Sequence, residues 1–439
     1  MNRARTIKRK IRRTGGKLLP FWKHHTPVFD ALLLLVAAVA ALIVANTALG
    51  VPLESFWTRS VQFGRGLLHS DISVERFIND LLMALFFLVV GIEVKEEIID
   101  GDLSNIRLAA LPLIAALGGM VVPILLYLAT THLLAAGSVP LKGWGIPMAT
   151  DIVFATLILD LAGQRVPQSL KVFLTALAVA DDLGAMVVIL FIGGHDIRLI
   201  WLGVALLLTA ALIVCNRLRV KRLAPYLVLG AGLLAGCYLA GVHPTIAGVI
   251  VAFALPADLH CRRSYIERLL SVHEKGKPDT ATDEPRFSPT LATAPAKVVS
   301  GSPLRRAGGF FAPVASYIIL PLFAFVNAGV IVRGGSVADM LHSPVVPAIA
   351  LGLMVGKPLG VWLFSRIALL LRVAHLPQGL DGRQLFAAAL LAGIGFTMAL
   401  FIAHLSLGAG PALEAAKLTI MAASVAMGLI GYLYIRRLS

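Results

Sequence analysis

Leu174-Thr175-Ala176-Leu177-Ala178-Val179-Ala180-Asp181-Asp182-Leu183-Gly184 lies inside an apolar run from Lys171 to Ile192 and puts two adjacent acids near its centre. A helix of roughly 20 residues crosses about 30 Å of hydrocarbon, so this run is long enough to span a bilayer. Outward from it, comparable runs begin near Asp30, Val74, Arg107, Gly143, Gln168, Leu199, Leu223, Pro244, Gly308, Pro344, Gln384 and Pro411. Hydrophobic residues make up 58% of the chain and charged ones 14%, far more apolar side chain than a soluble core uses. The expectation is an all-α polytopic membrane protein with about twelve transmembrane helices.

The net charge of +15 would suggest nucleic acid as a partner of a soluble protein. Here most of the excess lies between spans, the surroundings are membrane lipids, and no nucleic-acid partner is expected. Arg3, Arg5, Lys8, Arg9, Lys10, Arg12, Arg13 and Lys17 precede the first span, and Arg217 to Arg222, Arg262, Arg263, Arg305, Arg306, Arg372, Arg383, Arg436 and Arg437 fall in alternate later segments. By the positive-inside rule both termini are cytoplasmic. The run after Asp30 has full spanning length and no small-residue cleavage site, so the basic start is not a signal peptide. The division expected is 1–27 as a basic cytoplasmic segment, 28–261 as a first membrane half of about eight spans, 262–307 as a flexible cytoplasmic insertion rich in Pro, Ser, Thr and Ala, and 308–439 as about four spans with a short cytoplasmic end. The alternating piece Trp57 to Phe63 reads as a short external strand or hairpin. Cys215, Cys237 and Cys261 lack metal-ligand spacing and read as inert thiols.

Two spans carry similar interruptions. Gly145-Ile146-Pro147-Met148-Ala149-Thr150-Asp151 breaks one and Gly393-Ile394-Gly395-Phe396-Thr397 breaks the other. Unwound backbone inside a membrane is tolerated only where protein or a water-filled cavity satisfies its amides and carbonyls. Corresponding breaks in two halves point to two discontinuous helices related by an inverted repeat, with a binding site at the midplane. Lys171 and Lys417 open the spans that follow, so the repeat unit reads as three helices.

Each ionised acid costs roughly 2.5 to 3.5 kcal/mol at mid-bilayer on insertion scales, so Asp151, Asp181, Asp182 and Lys357 together ask for about 10 kcal/mol. Such a cost needs a function. Adjacent helical residues point about 100° apart, so Asp181 and Asp182 divide their labour. One carboxylate can hold a cation while the other pairs with a lysine or takes a proton. Desolvation raises a buried carboxylate's pKa and a neighbouring cation lowers it, so a proton and a metal ion compete for the same oxygens. With alternating access that competition is antiport. Carboxylate, hydroxyl and carbonyl oxygens from Asp182, Thr150 and unwound main chain suit a small hard cation, sodium or lithium. Asp151 can neutralise the exposed amide dipoles of its own broken span. For Lys357, within Gly356-Lys357-Pro358, the partner expected is Asp181.

Plainer readings apply elsewhere. Glu93, Glu96 and Glu97 read as a solvated helix end, which a cation-attracting cytoplasmic funnel would resemble. His243 reads as a turn or interface residue rather than a pH sensor, and His404 as packed. An intramembrane aspartyl protease would place its acids on separate helices, and a membrane prenyltransferase would carry Asp-Asp-x-x-Asp, whereas Asp181-Asp182 is followed by Leu-Gly-Ala. No enzyme activity and no cofactor are expected. The competing function is a sodium-coupled transporter of an organic solute, which would need more polar residues in the interrupted spans.

Taken together, Phe86 to Glu97, Leu111-Pro112 through Pro123, Ala149-Thr150-Asp151-Ile152, Ala180 to Ala185, Gly241-Val242-His243, Leu320 to Phe325 with Asn327-Ala328-Gly329, Gly356 to Gly360 and Gly393 to Met398 resemble the NhaA sodium/proton antiporters, in order and over nearly the whole chain from the first span. The inverted repeat is an established property of that family. The resemblance implies a bacterial inner-membrane protein, often a homodimer, that exports sodium or lithium in electrogenic exchange for protons, for sodium and pH homeostasis. It implies that Asp182 and Asp181 form the ion and proton site, that Thr150 and Asp151 sit at the helix crossing, and that Lys357 partners Asp181. It also implies that Asp80, Glu93 and Glu97 line or flank the cytoplasmic approach. The chain departs from the family pattern at Glu96, where an arginine is usual, and at Gly308, Gly309 and Ala312, where the family's pH-sensing end carries a glutamate and histidines. A shifted or flattened pH profile is expected.

Overall fold

The computed structural model describes residues 27–63, 70–101, 106–135, 141–163, 166–192, 198–257, 302–330, 342–377 and 379–438. The basic segment before residue 27, Cys261 and most of the expected insertion lie outside the described residues. In chain order the helices are α1 (Pro27–Ala45), α2 (Gly50–Trp57), α3 (Val74–Asp100), α4 (Ile106–Ala135), α5 (Ile152–Leu161), α6 (Gln168–Ile192), α7 (Leu199–Arg217), α8 (Ala224–Ala240), α9 (Thr245–Ala254), α10 (Pro303–Val314), α11 (Leu320–Asn327), α12 (Val345–Leu351), α13 (Lys357–Leu370), α14 (Gly382–Ala392), α15 (Phe396–Leu407) and α16 (Pro411–Leu438). Among the described residues nine helical stretches are long and apolar enough to cross a membrane, ten when the bent pair α14 and α15 counts as one span, and α8 and α9 are shorter apolar helices. The twelve runs read from the sequence coincide with these stretches.

The outer surface is apolar where a soluble protein's would be polar. Leu133, Leu199, Ile200, Leu207 and Val228 are all more than two-thirds exposed, as suits a helix bundle whose solvent is hydrocarbon. Inside, two apolar cores form. Helix α6 feeds both, Val179 and Ala185 into one and Leu177 and Ala180 into the other, so Asp181 and Asp182 ride on a helix wedged between them.

Two spans widen locally into π-helical turns, Ala315–Ile319 and Gly352–Gly356. Each ends two residues before a proline, Pro321 and Pro358. A proline ring clashes with the carbonyl four residues back and offers it no N–H, and a widened turn relieves both faults. The second widened turn delivers Lys357 to the protein interior. Its helix packs closely on α4, because Gly118 and Gly360 bring the two backbones together. A Cβ at Gly360 would lie 2.7 Å from the Gly118 carbonyl carbon, the small-residue contact by which membrane helices approach.

Between α2 and α3, β1 (Ser60–Phe63) pairs antiparallel with β2 (Ser70–Ser73), Ser60 opposite Ser73. The strand expected from Trp57 thus begins later, since Trp57 closes α2. A second boundary differs from expectation. Helix α10 starts at Pro303 rather than near Gly308, so residues 303–307 belong to a helix and not to the insertion. Ser302 caps it by accepting the Arg305 amide at 3.3 Å, and Pro303 supplies the fixed φ of a first helical residue. The charged pair Arg305-Arg306 hides this start from a reading based on apolar runs.

Candidate ion-binding site at the helix crossing

A 3₁₀ turn, Leu141–Met148, and α5 form one broken span, with Ala149 to Asp151 outside either helix. Helices α14 and α15 form the other, bent by 42° at Gly393 to Gly395. The two breaks meet, and the Asp151 amide donates to the Ile394 carbonyl at 2.6 Å. Breaking two helices here leaves amides and carbonyls without intrahelical partners. Asp151 answers the amides on both sides. Its Oδ1 accepts from the Val153 and Phe154 amides at 3.0 and 3.3 Å, capping α5. Its Oδ2 accepts from the Thr397 amide at 3.0 Å and the Thr397 hydroxyl at 2.5 Å, capping α15. Ser424 Oγ accepts the Phe396 amide at 3.1 Å. The carbonyl ends find donors instead: Lys357 Nζ donates to the Met148 carbonyl, and Thr150 Oγ1 lies 2.9 Å from the Ala392 carbonyl. One anion thus serves two helix starts, while a cation and a hydroxyl serve two helix ends, each with the favourable sign.

Asp181 stands beside this crossing. Its Oδ2 accepts from Lys357 Nζ at 2.5 Å and from Thr150 Oγ1 at 2.7 Å, and both charged side chains are essentially inaccessible. The Thr150 hydroxyl has one proton and faces two acceptors, Asp181 and Ala392. Asp181 Oδ1 is buried with no hydrogen-bond partner. Asp182, the next residue on α6, is 9% exposed, and among the described residues no hydrogen bond or ion pair engages its carboxylate. Of the three acids, Asp151 and Asp181 are therefore committed to protein partners while Asp182 is uncommitted. No group of three or more His, Cys, Asp or Glu among the described residues could hold a metal ion.

The accessory residues divide between the ends of α3. Glu93 is exposed, and Glu96 and Glu97 line a cavity of about 400 Å³ with Arg305 and Gly308 of α10. Asp80 is not among the residues lining that cavity. It lies in the half of α3 next to the hairpin, thirteen residues before Glu93 and so about 20 Å away along the axis. There His243 Nε2 comes within 3.8 Å of Asp80 Oδ1, its Nδ1 lies 2.8 Å from Thr245 Oγ1, and its ring meets Phe401 edge-on. His404, read as merely packed, has its Nδ1 3.7 Å from Glu75 Oε1. The sequence reading assigned no role to the Thr397 hydroxyl, Ser424 or the Met148 and Ala392 carbonyls. Thr397, second in a half-helix, carried a signal in its position; the carbonyls carried none.

Breaking two helices where they cross, and answering exposed dipoles there with buried polar side chains, is the architecture of a secondary transporter. The chain belongs to the Na+/H+ antiporter 1 family, which matches residues 23–435. It is 41% identical over 414 residues to the Na(+)/H(+) antiporter NhaA of Koribacter versatilis (strain Ellin345), covering 93% of this chain and 89% of the relative. It is 41% identical over 408 residues to the Na(+)/H(+) antiporter NhaA of Escherichia coli O1:K1 / APEC, covering 92% and 94%. To the same antiporter of Helicobacter pylori (strain HPAG1) it is 40% identical over 419 residues, covering 93% and 92%.

Proposed function

We propose that this multi-pass membrane protein exports sodium or lithium in electrogenic exchange for protons across a bacterial inner membrane, serving sodium and pH homeostasis, with Asp182 as the carboxylate that holds cation and proton in turn. The observation that carries the reading is the uncommitted state of Asp182 beside two acids whose partners are fixed. A buried ionised carboxylate without a partner is strongly unfavourable. Asp182 therefore takes whichever neutralising ion the open side supplies. The unpartnered Asp181 Oδ1 and the Thr150 hydroxyl are further hard oxygens within the same cluster, a donor set that favours sodium or lithium. A cation drawing on Asp181 competes with the Lys357 ammonium for it. The pair is thus a second place from which positive charge can be displaced, in keeping with exchange of more than one proton per cation. The distribution of lysine and arginine supports cytoplasmic termini, and a homodimer is the expected assembly.

The test is reconstitution into liposomes with an imposed pH gradient read by a fluorescent proton probe. Sodium or lithium is expected to dissipate the gradient in the parent protein and not in an Asp182→Ala variant. Absence of any cation response over a broad pH range, with the protein folded, would favour the organic-solute transporter instead.

A further inference from the structure

A cavity of about 700 Å³ opens where α13, α14 and α16 meet, at the membrane face that also carries the end of α16. Its floor is aromatic: Trp362 and Phe386 have ring centroids 6.2 Å apart, and Phe386 and Tyr434 5.4 Å apart, both edge-on. Its rim is cationic, with Arg366 one turn beyond Trp362 and Arg383 in the first turn of α14. The Arg366 guanidinium rests 5.7 Å over the Trp362 ring, and among the described residues neither arginine has a hydrogen bond or ion pair. Asp381, the one acid of the lining, caps α14 in a capping box with Gln384. Beside the cavity a stripe of apolar side chains, Leu351, Val355, Leu359, Leu363 and Ile367, runs along α12, the widened turn Gly352–Gly356 and α13 at every fourth residue, each 39–46% exposed. Arg366 precedes Ile367, the last member of the stripe within α13.

We infer that this cavity binds the headgroup of an anionic phospholipid. The phosphate sits between Arg366 and Arg383 and the acyl chains lie along the Leu359 and Leu363 stripe. Guanidinium groups suit phosphate oxygens through paired N–H donors. Trp362 and Tyr434 have the amphipathic rings that settle at headgroup depth, and basic pockets between membrane helices are where anionic headgroups are recognised. A soluble phosphate would use the arginines but not the stripe, so the lipid is the occupant the whole surface fits.

Native mass spectrometry on the full chain in detergent, after exchange into mixtures of phosphatidylglycerol and phosphatidylcholine, tests this. The parent protein is expected to retain phosphatidylglycerol selectively. Arg366→Gln and Arg383→Gln should each weaken retention about fivefold and the double variant about 30-fold, while Arg198→Gln, at an exposed arginine before α7, should leave it unchanged. Both substituted positions are exposed, and thermal melting verifies folding; if the double variant does not fold, the single variants decide. Equal retention by parent and variants would overturn the inference. So would displacement of the lipid from the parent protein by inorganic phosphate alone, which would make the cavity a soluble-anion site.

Discussion

Asp182 and Lys357 are both buried ionisable side chains, yet they play opposite parts in stability. Asp182 has no partner to lose, so Asp182→Asn is expected to abolish cation-driven dissipation of a pH gradient while the melting temperature in detergent stays level or rises. A fall in melting temperature equal to that of a core deletion would contradict the role proposed for it. Lys357 pairs with Asp181 in the interior, and removing one member of such a pair strands the other. Lys357→Ala should lower stability by about 3 to 5 kcal/mol, and the double change Lys357→Met with Asp181→Asn should restore it to within about 1 kcal/mol, as measured by denaturant or thermal unfolding. At this scale the acids and the lysine were legible in the sequence because a charge in an apolar run stands out whatever surrounds it. The Met148 and Ala392 carbonyls were not, since every residue carries a carbonyl and only the fold decides which one is left without a helical partner.

Among the elements, the crossing concentrates the structural demand. Asp151 caps two helix starts, and loss of a cap costs about 1 kcal/mol. Asp151→Ala is therefore expected to lower stability by about 2 kcal/mol, and Asp151→Asn, which keeps one acceptor oxygen, by about half as much; calorimetry of the purified protein distinguishes the two. At the Glu93 end of α3, Gly308 of α10 faces Glu96, whose Oε1 lies 3.9 Å from where a Cβ at 308 would stand. A side chain there would reach the acid, and this chain has none. Its pH profile is expected to be shifted or flattened relative to typical family members, and a steep rise in exchange from neutral to alkaline pH equal to theirs would contradict this. The broken spans were readable from Pro147, Gly393 and Gly395, residues that spoil helices locally. The start of α10 was not, because Ser302 and Pro303 mark a helix only through cap geometry while Arg305 and Arg306 resemble a linker.

Across the whole molecule, charge outside the spans carries orientation. With basic residues gathered before the first span and after the last, a green fluorescent protein fused after Ser439 should fluoresce in cells and an alkaline phosphatase fused there should be inactive; the reverse pattern would invert the topology. Residue pattern, spacing and charge were enough to outline the bundle, because a membrane restricts a chain to spanning helices and the turns between them. How the two broken spans meet was beyond them. Besides its side-chain bonds, that meeting includes one from the Asp151 amide to the Ile394 carbonyl, made of main-chain atoms alone. Substitution at Thr150 or Thr397 changes the side-chain bonds across the crossing, while this main-chain bond survives any exchange of side chain that keeps the amide at position 151. The distant parts of the sequence that share this bond can drift apart in composition and still close on one another at the same point.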